Sequence, residues 1–126
     1  MSTGAIRRRL HPLALVAGGG FLGALLRYAV AVALPGTFPW GTLAANVGGT
    51  FLLGILLYEA HLADMLSAET RLLVGTGFCS SFTTYSTFAA ETTQLSTQLA
   101  AVNVAANYTL GFLAVVLGQL VARWVS

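Results

Sequence analysis

The chain has 126 residues, of which 56% are hydrophobic and only 8% charged, with a formal net charge of +2. Four acids and six arginines, with no lysine, cannot cover a soluble domain this small, whose charged fraction is ordinarily about 25%. Together with a mean hydropathy of +0.80 this excludes a soluble enzyme, a nucleic-acid binder and a disordered chain, and reads as an integral membrane protein.

The charges mark out the elements. No Asp, Glu, Lys or Arg occurs from Leu10 to Leu26, Tyr28 to Tyr58, Leu72 to Ala90 or Thr92 to Ala122. A spanning helix needs about 20 apolar residues, so the second run is too long for one span. Pro35, Gly36 and Pro39 divide it. Four helices are expected, roughly 12–34, 40–59, 70–97 and 99–124, as one all-α transmembrane domain over 1–126. Arg7-Arg8-Arg9, the apolar stretch after it and Ala29-Val30-Ala31 imitate a signal peptide, but Arg27 interrupts just before the mock cleavage site, so the first run is read as a retained helix.

The first helix carries Gly19 and Gly23 as a GxxxG. Ala44/Gly48 and Ala45/Gly49 repeat that spacing on the second, and Gly111 and Gly118 lie two turns apart on the fourth. Small residues at this spacing let helix backbones approach closely in lipid. Arg27, late in the first helix, either anchors at an interface or lends positive potential to an anion vestibule. Asn46, near the middle of the second, either glues helices together or lines a polar path with its NH2 donor. The lone Cys79 forms no internal disulfide, and His11 and His61 make no metal site.

The third segment differs. Gly75-Thr76-Gly77-Phe78-Cys79-Ser80-Ser81-Phe82-Thr83-Thr84-Tyr85-Ser86-Thr87-Phe88 holds seven Ser or Thr hydroxyls between 76 and 87. Such density is poor for a helix. Irregular backbone at membrane depth survives where it is buried in protein or lines a wet cavity, so this helix is expected to be broken. Tyr85 and Phe88 share a face at i, i+3, and Glu91, three residues further on, is expected on the same face. Asn103 and Asn107, four apart on the fourth helix, face one way, with Tyr108 beside them. Glu91 aside, the intramembrane polar groups are neutral or donors, and ring edges are positive. The inventory favours a path for a small anion over one for cations or protons.

These residues carry a resemblance. Gly19–Tyr28 (GGFLGALLRY), Gly41–Gly49 (GTLAANVGG) and, most specifically, Gly75–Glu91 (GTGFCSSFTTYSTFAAE) resemble the Fluc (CrcB-like) fluoride channel family over nearly the whole chain. The resemblance implies a passive fluoride channel of the bacterial inner (plasma) membrane that lowers cytoplasmic fluoride. It also implies an antiparallel, dual-topology homodimer with two pores and a structural sodium ion, Na+, at its centre. By the same resemblance the fluoride pore is lined by Asn46, Tyr85, Ser86, Thr87, Phe88 and Tyr108. The vestibule takes Arg27 and Glu91, and sodium meets the backbone carbonyls of Ser80 and Thr83. Three residues depart from the family's habit. Ser80-Ser81 stands where Gly-Gly is frequent, so left-handed dihedrals would be costly there. Tyr85 replaces a Phe, and Phe112 sits where a hydroxyl is common.

A proton-coupled small multidrug exporter, the competing reading, needs a carboxylate in its first helix, and residues 12–34 contain none. A non-transporting structural subunit would have no use for a broken third segment. Orientation pulls against the family. With four spans, Arg7, Arg8, Arg9, Arg71 and Arg123 fall on one side, which predicts cytoplasmic termini. A one-way insertion would call for a paralogue and a heterodimer; the homodimer is the expectation kept here.

Overall fold

The computed structural model describes residues 2–59 and 66–125; His61 lies outside them. Among the described residues the chain is helical, without strands. In order come α1 (Thr3–Ala33), α2 (Trp40–Tyr58), α3 (Ala68–Thr70), a π-helix over Arg71–Cys79, α4 (Ser80–Phe82), α5 (Tyr85–Thr93) and α6 (Thr97–Val125). Three of these, α1, α2 and α6, are long and apolar enough to cross a membrane. The third segment of the sequence is a succession of shorter pieces.

α1 begins nine residues before its expected start at 12. The arginines taken as the end of an apolar run are helix formers with exposed side chains. Ser2 caps the helix, its hydroxyl accepting from the Ala5 N–H at 3.3 Å. Pro12 lies inside it. At 1.5 Å per residue the 31 residues of α1 reach about 46 Å. The helix ends before Pro35, and Gly36 turns the chain with φ +147°, a conformation glycine adopts without a Cβ clash. The fourth helix spans Thr97–Val125, two residues before and one after its expected ends, with Ser96 capping through Leu99 and Ala100.

Packing runs backbone to backbone. A Cβ at Gly19 would collide with the Leu73 carbonyl, one at Gly23 would meet the Phe78 carbonyl at 2.5 Å, and one at Gly77 the Val16 carbonyl at 2.7 Å. These three glycines seat α1 on the π-helix and its continuation. On the other side of α2, Gly54 faces the Val115 carbonyl and Gly118 the Phe51 carbonyl, which seats α2 on α6. The expected pair Gly111/Gly118 therefore divides: Gly118 packs, whereas a Cβ at Gly111 would meet nothing within 4 Å. Gly41, against Ala31, and Gly49, against Thr83, complete the contacts of α2.

The buried residues are few: Leu43, Ala45, Leu56, Cys79, Phe82, Phe88, Ala114 and Ala122 among the apolar ones, with Thr42, Glu59 and Asn103 among the polar. Large apolar side chains cover the outside of α1 and α6. The interior is mostly apolar with a few polar groups, and the outside is apolar as well, as suits a chain in lipid. At the end of α2, buried Glu59 takes Arg71 in a two-pronged ion pair, Nη2 to Oε1 at 2.9 Å and Nε to Oε2 at 3.0 Å. Glu59 also accepts from the Leu66 N–H.

Candidate functional site

Between α4 and α5 the backbone leaves the helical region. Thr83 has φ −80°, ψ 153° and Thr84 φ −150°, ψ 121°. Two extended residues between helices strand the backbone groups on either side, and several of these find partners. The Thr84 N–H donates to Asn46 Oδ1 at 2.7 Å, and Asn46 Nδ2 donates to the Thr84 carbonyl at 3.1 Å. Thr84 then caps α5, its hydroxyl accepting from the Thr87 N–H at 3.2 Å. The Thr83 N–H and hydroxyl both turn back to the Cys79 carbonyl, at 3.0 and 2.8 Å.

This pattern diverts two donors. In an unbroken helix the Thr84 N–H would serve the Ser80 carbonyl and the Thr87 N–H the Thr83 carbonyl. Here they go to Asn46 and to the Thr84 hydroxyl. Ser80 itself is right-handed helical, φ −62°, ψ −33°, and Ser81 lies within α4. The serines in place of glycines thus require no left-handed backbone.

Asn46 continues inward. Its Nδ2 also donates to Asn107 Oδ1 at 3.3 Å. Asn107 Nδ2 donates to the Asn103 carbonyl at 2.8 Å and to Asn103 Oδ1 at 3.0 Å. Asn103, 1% exposed, donates to Thr92 Oγ1 at 2.9 Å, and Thr92 donates to the Phe88 carbonyl at 2.7 Å. Hydrogen bonds thus tie α2, α5 and α6 around the interruption. No buried side-chain nitrogen or oxygen among the described residues lacks a partner.

Beside this network runs a ladder of rings. Tyr85 meets Phe88 edge-on, centroids 6.0 Å apart and planes at 87°. Phe88 meets Tyr108 at 6.2 Å and 69°, and Tyr108 meets Phe112 at 6.5 Å. Phe88 is buried, while Tyr85, Tyr108 and Phe112 are exposed. The rings of Tyr85, Phe88 and Tyr108 and the amides line an open cavity of about 250 Å³. Asn46 and Thr50 line it from α2, Thr83 to Tyr85 and Phe88 from the interruption and α5, and Asn107 and Tyr108 from α6.

A second hollow, about 210 Å³, opens on the other side of α5 and is lined by Arg27, Tyr28, Ala31, Gly41, Thr42, Thr87 and Glu91. Arg27 Nη1 donates to Thr87 Oγ1 at 3.5 Å, and the Thr42 hydroxyl donates to Glu91 Oε1. Glu91 thus shares a hollow with Thr87, not with Phe88. Four residues turn the helix about 40° past a full turn and three leave it about 60° short, and here the face boundary falls between Phe88 and Glu91. Of the pore residues drawn from the resemblance, Asn46, Tyr85, Phe88 and Tyr108 come together in the first cavity. Thr87 joins Arg27 and Glu91 in the second, and Ser86 lines neither, lying exposed within 3.5 Å of the Thr84 hydroxyl. Thr42, Thr50, Thr92, Asn103 and Asn107 complete the site without having been picked as site residues. The signal for the first two was available, since Thr42, Asn46 and Thr50 form a stripe every four residues on an otherwise apolar helix.

Comparison with known proteins matches residues 14–119 to the family described as "CrcB-like protein, Camphor Resistance (CrcB)". The chain is 60% identical over 114 residues to a protein of Natronomonas pharaonis named "Fluoride-specific ion channel FluC 1", covering 90% of this chain and 96% of that one. It is 54% identical over 110 residues to "Fluoride-specific ion channel FluC 2" of Halobacterium salinarum, covering 86% and 84%. A "Fluoride-specific ion channel FluC 1" of Haloarcula marismortui is 49% identical over 119 residues, covering 90% and 91%.

Proposed function

The chain belongs to the CrcB-like family, and on that premise we propose that it is a fluoride channel, carrying the ion passively out of the cell across the plasma membrane. It is a multi-pass membrane protein and not an enzyme. The observation that supports the reading best is the cavity in which the Tyr85 and Phe88 rings meet edge-on beside the Asn46 amide. Fluoride holds its water tightly, so a path for it must replace water by donors and positive ring edges. Arg27, in the second hollow, supplies the positive potential that draws anions toward Thr87 and the start of α5.

The third segment acts in this reading as a membrane helix broken at Thr83–Thr84. The break takes the helical donors from the carbonyls of residues 80 to 83, those of Ser80 and Thr83 among them, and neutral carbonyl oxygens are ligands suited to a hard cation such as sodium. Bound there, sodium would supply a fixed positive charge and a cross-link. Two carbonyls from one chain leave such an ion under-coordinated, which accords with an antiparallel homodimer contributing a second pair. The exposed rings of Tyr85, Tyr108 and Phe112 likewise leave the first cavity without an outer wall from this chain. The exporter reading finds no support, since α1 carries no carboxylate.

The deciding experiment is efflux from proteoliposomes holding only this protein. Fluoride release with chloride retained is the expected result. Release of both at equal rates, or of neither, rejects the proposal.

A further inference from the structure

We infer that Asn107 is a resident acceptor that occupies the Asn46 donor in the absence of an anion and yields it when one arrives. The inference rests on the fluoride-channel reading and adds to it a residue that sets how tightly the path holds its ion.

Two observations carry it. The first is that the Asn46 amide has no spare hydrogen. An amide NH2 has two, and one goes to the Thr84 carbonyl at 3.1 Å and the other to Asn107 Oδ1 at 3.3 Å. The bond to Thr84 is half of a reciprocal pair, with the Thr84 N–H returning at 2.7 Å. The bond to Asn107 is single, and its length lies beyond the usual 2.7–3.2 Å range. An anion in the cavity that both asparagines line must therefore take the Asn46 hydrogen now given to Asn107, the more weakly held of the two.

The second observation is that Asn107 cannot present anything but an acceptor. Its NH2 is held by the Asn103 carbonyl and Oδ1 at 2.8 and 3.0 Å. Asn103 is itself fixed by donating to Thr92, which donates to the Phe88 carbonyl. Every donor in the chain points away from Asn46. Rotating the Asn107 amide would set two NH2 groups against each other and strand the Asn103 oxygens, a costly exchange in a half-buried site.

The consequence is an exchange rather than a simple capture. A hydrogen bond to an anion is roughly twice as strong as one between neutral amides, so fluoride displaces Asn107 Oδ1. The bond given up lowers the net gain, which suits a conduit that must also release its ion. When the ion departs, Asn107 accepts from Asn46 again, and the donor is not left unpaired.

The test is the fluoride concentration dependence of efflux for the full-length protein, Asn107→Leu, Asn103→Leu and the double variant. Removing the competitor should lower the half-saturating fluoride concentration by about twofold to tenfold, the range of one net hydrogen bond, and slow the maximal flux. Asn103→Leu, which frees the Asn107 amide to turn, should shift the half-saturating concentration the same way. The double variant should match Asn107→Leu rather than sum the two, because the residues act in one chain. A half-saturating concentration unchanged or raised in Asn107→Leu, with the unaltered protein carrying fluoride, overturns the inference. Absence of fluoride flux in the unaltered protein instead rejects the channel reading. Should Asn107→Leu fail to fold, Asn107→Ser, too short to reach Asn46, carries the same expectation and the same overturning result.

Discussion

The carboxamide of Asn46 holds the backbone of Thr84 from both sides, accepting its N–H at 2.7 Å and donating to its carbonyl at 3.1 Å. A side chain on one helix thereby does for an extended residue what a paired strand does in a sheet. The α4–α5 interruption is stabilised across the bundle, by α2, as well as by its own neighbours.

Removing that grip should cost folding and flux together. Asn46→Leu leaves the Thr84 N–H without its partner, a loss of about 1–3 kcal/mol. Its thermal midpoint should fall, and its fluoride efflux should vanish. Asn46→Asp keeps an acceptor for Thr84 and should recover part of the midpoint without flux, because it sets a negative charge in the anion's way. An Asn46→Leu midpoint equal to the parent's would contradict the role given to the pair.

Phe88 tests the rings. It is 7% exposed and stands between Tyr85 and Tyr108. Isoleucine retains much of its bulk but no ring edge. Phe88→Ile should nearly abolish fluoride efflux while the purified protein keeps its elution volume on size exclusion. Tyr85→Phe, which preserves the ring, should conduct. Undiminished efflux from Phe88→Ile would remove the rings from the path.

Sodium enters through linkage. A ligand bound only by the folded protein raises stability by RT ln(1 + [L]/Kd), about 2.7 kcal/mol at a hundredfold excess over Kd. Exchanging sodium for a large organic cation should lower the thermal midpoint, and returning sodium should restore it. A midpoint indifferent to the exchange rules out the proposed site at the Ser80 and Thr83 carbonyls.

Topology can be read by labelling. Five arginines favour one orientation by count, but Arg71 is held in a two-pronged ion pair by Glu59. Gly4→Cys and Thr37→Cys, both at exposed positions, would be labelled separately after replacing Cys79, in cells making only this protein. For an antiparallel homodimer each site should react from outside in about half of the molecules. Labelling at 37 alone would point to one-way insertion and a second gene product.

Much of the architecture is readable from where charges are missing, because lipid tolerates so few of them. The ends of α2 and α6 follow from it closely, whereas α1 does not, since arginines outside the hydrocarbon can still be helical. The π-helix over Arg71–Cys79 left no mark, since no residue pattern within that segment distinguishes it from an α-helix. Gly77 reads in the sequence only as part of the irregular third segment, and Gly54 carries no pattern of its own; each meets another helix's backbone, which spacing within one helix does not show. In the site, the pairing of Asn103 with Asn107 follows from their spacing. The partners of Asn46 lie on other helices, 38 and 61 positions away, where no local pattern reaches.

The length of α1 makes bilayer thickness a variable for this protein. Arg9 and Arg27 both lie in α1, and the eighteen positions separating them rise about 27 Å, close to the roughly 30 Å of a hydrocarbon core. The two guanidiniums are thus spaced to reach opposite headgroup layers. A membrane of longer acyl chains would draw them inward or force the helix upright, and a shorter one would tilt it. Since Arg27 also reaches Thr87 at the start of α5, hydrophobic mismatch bears directly on the entrance to the path. The lipid a cell chooses is in this sense part of the channel's mechanism.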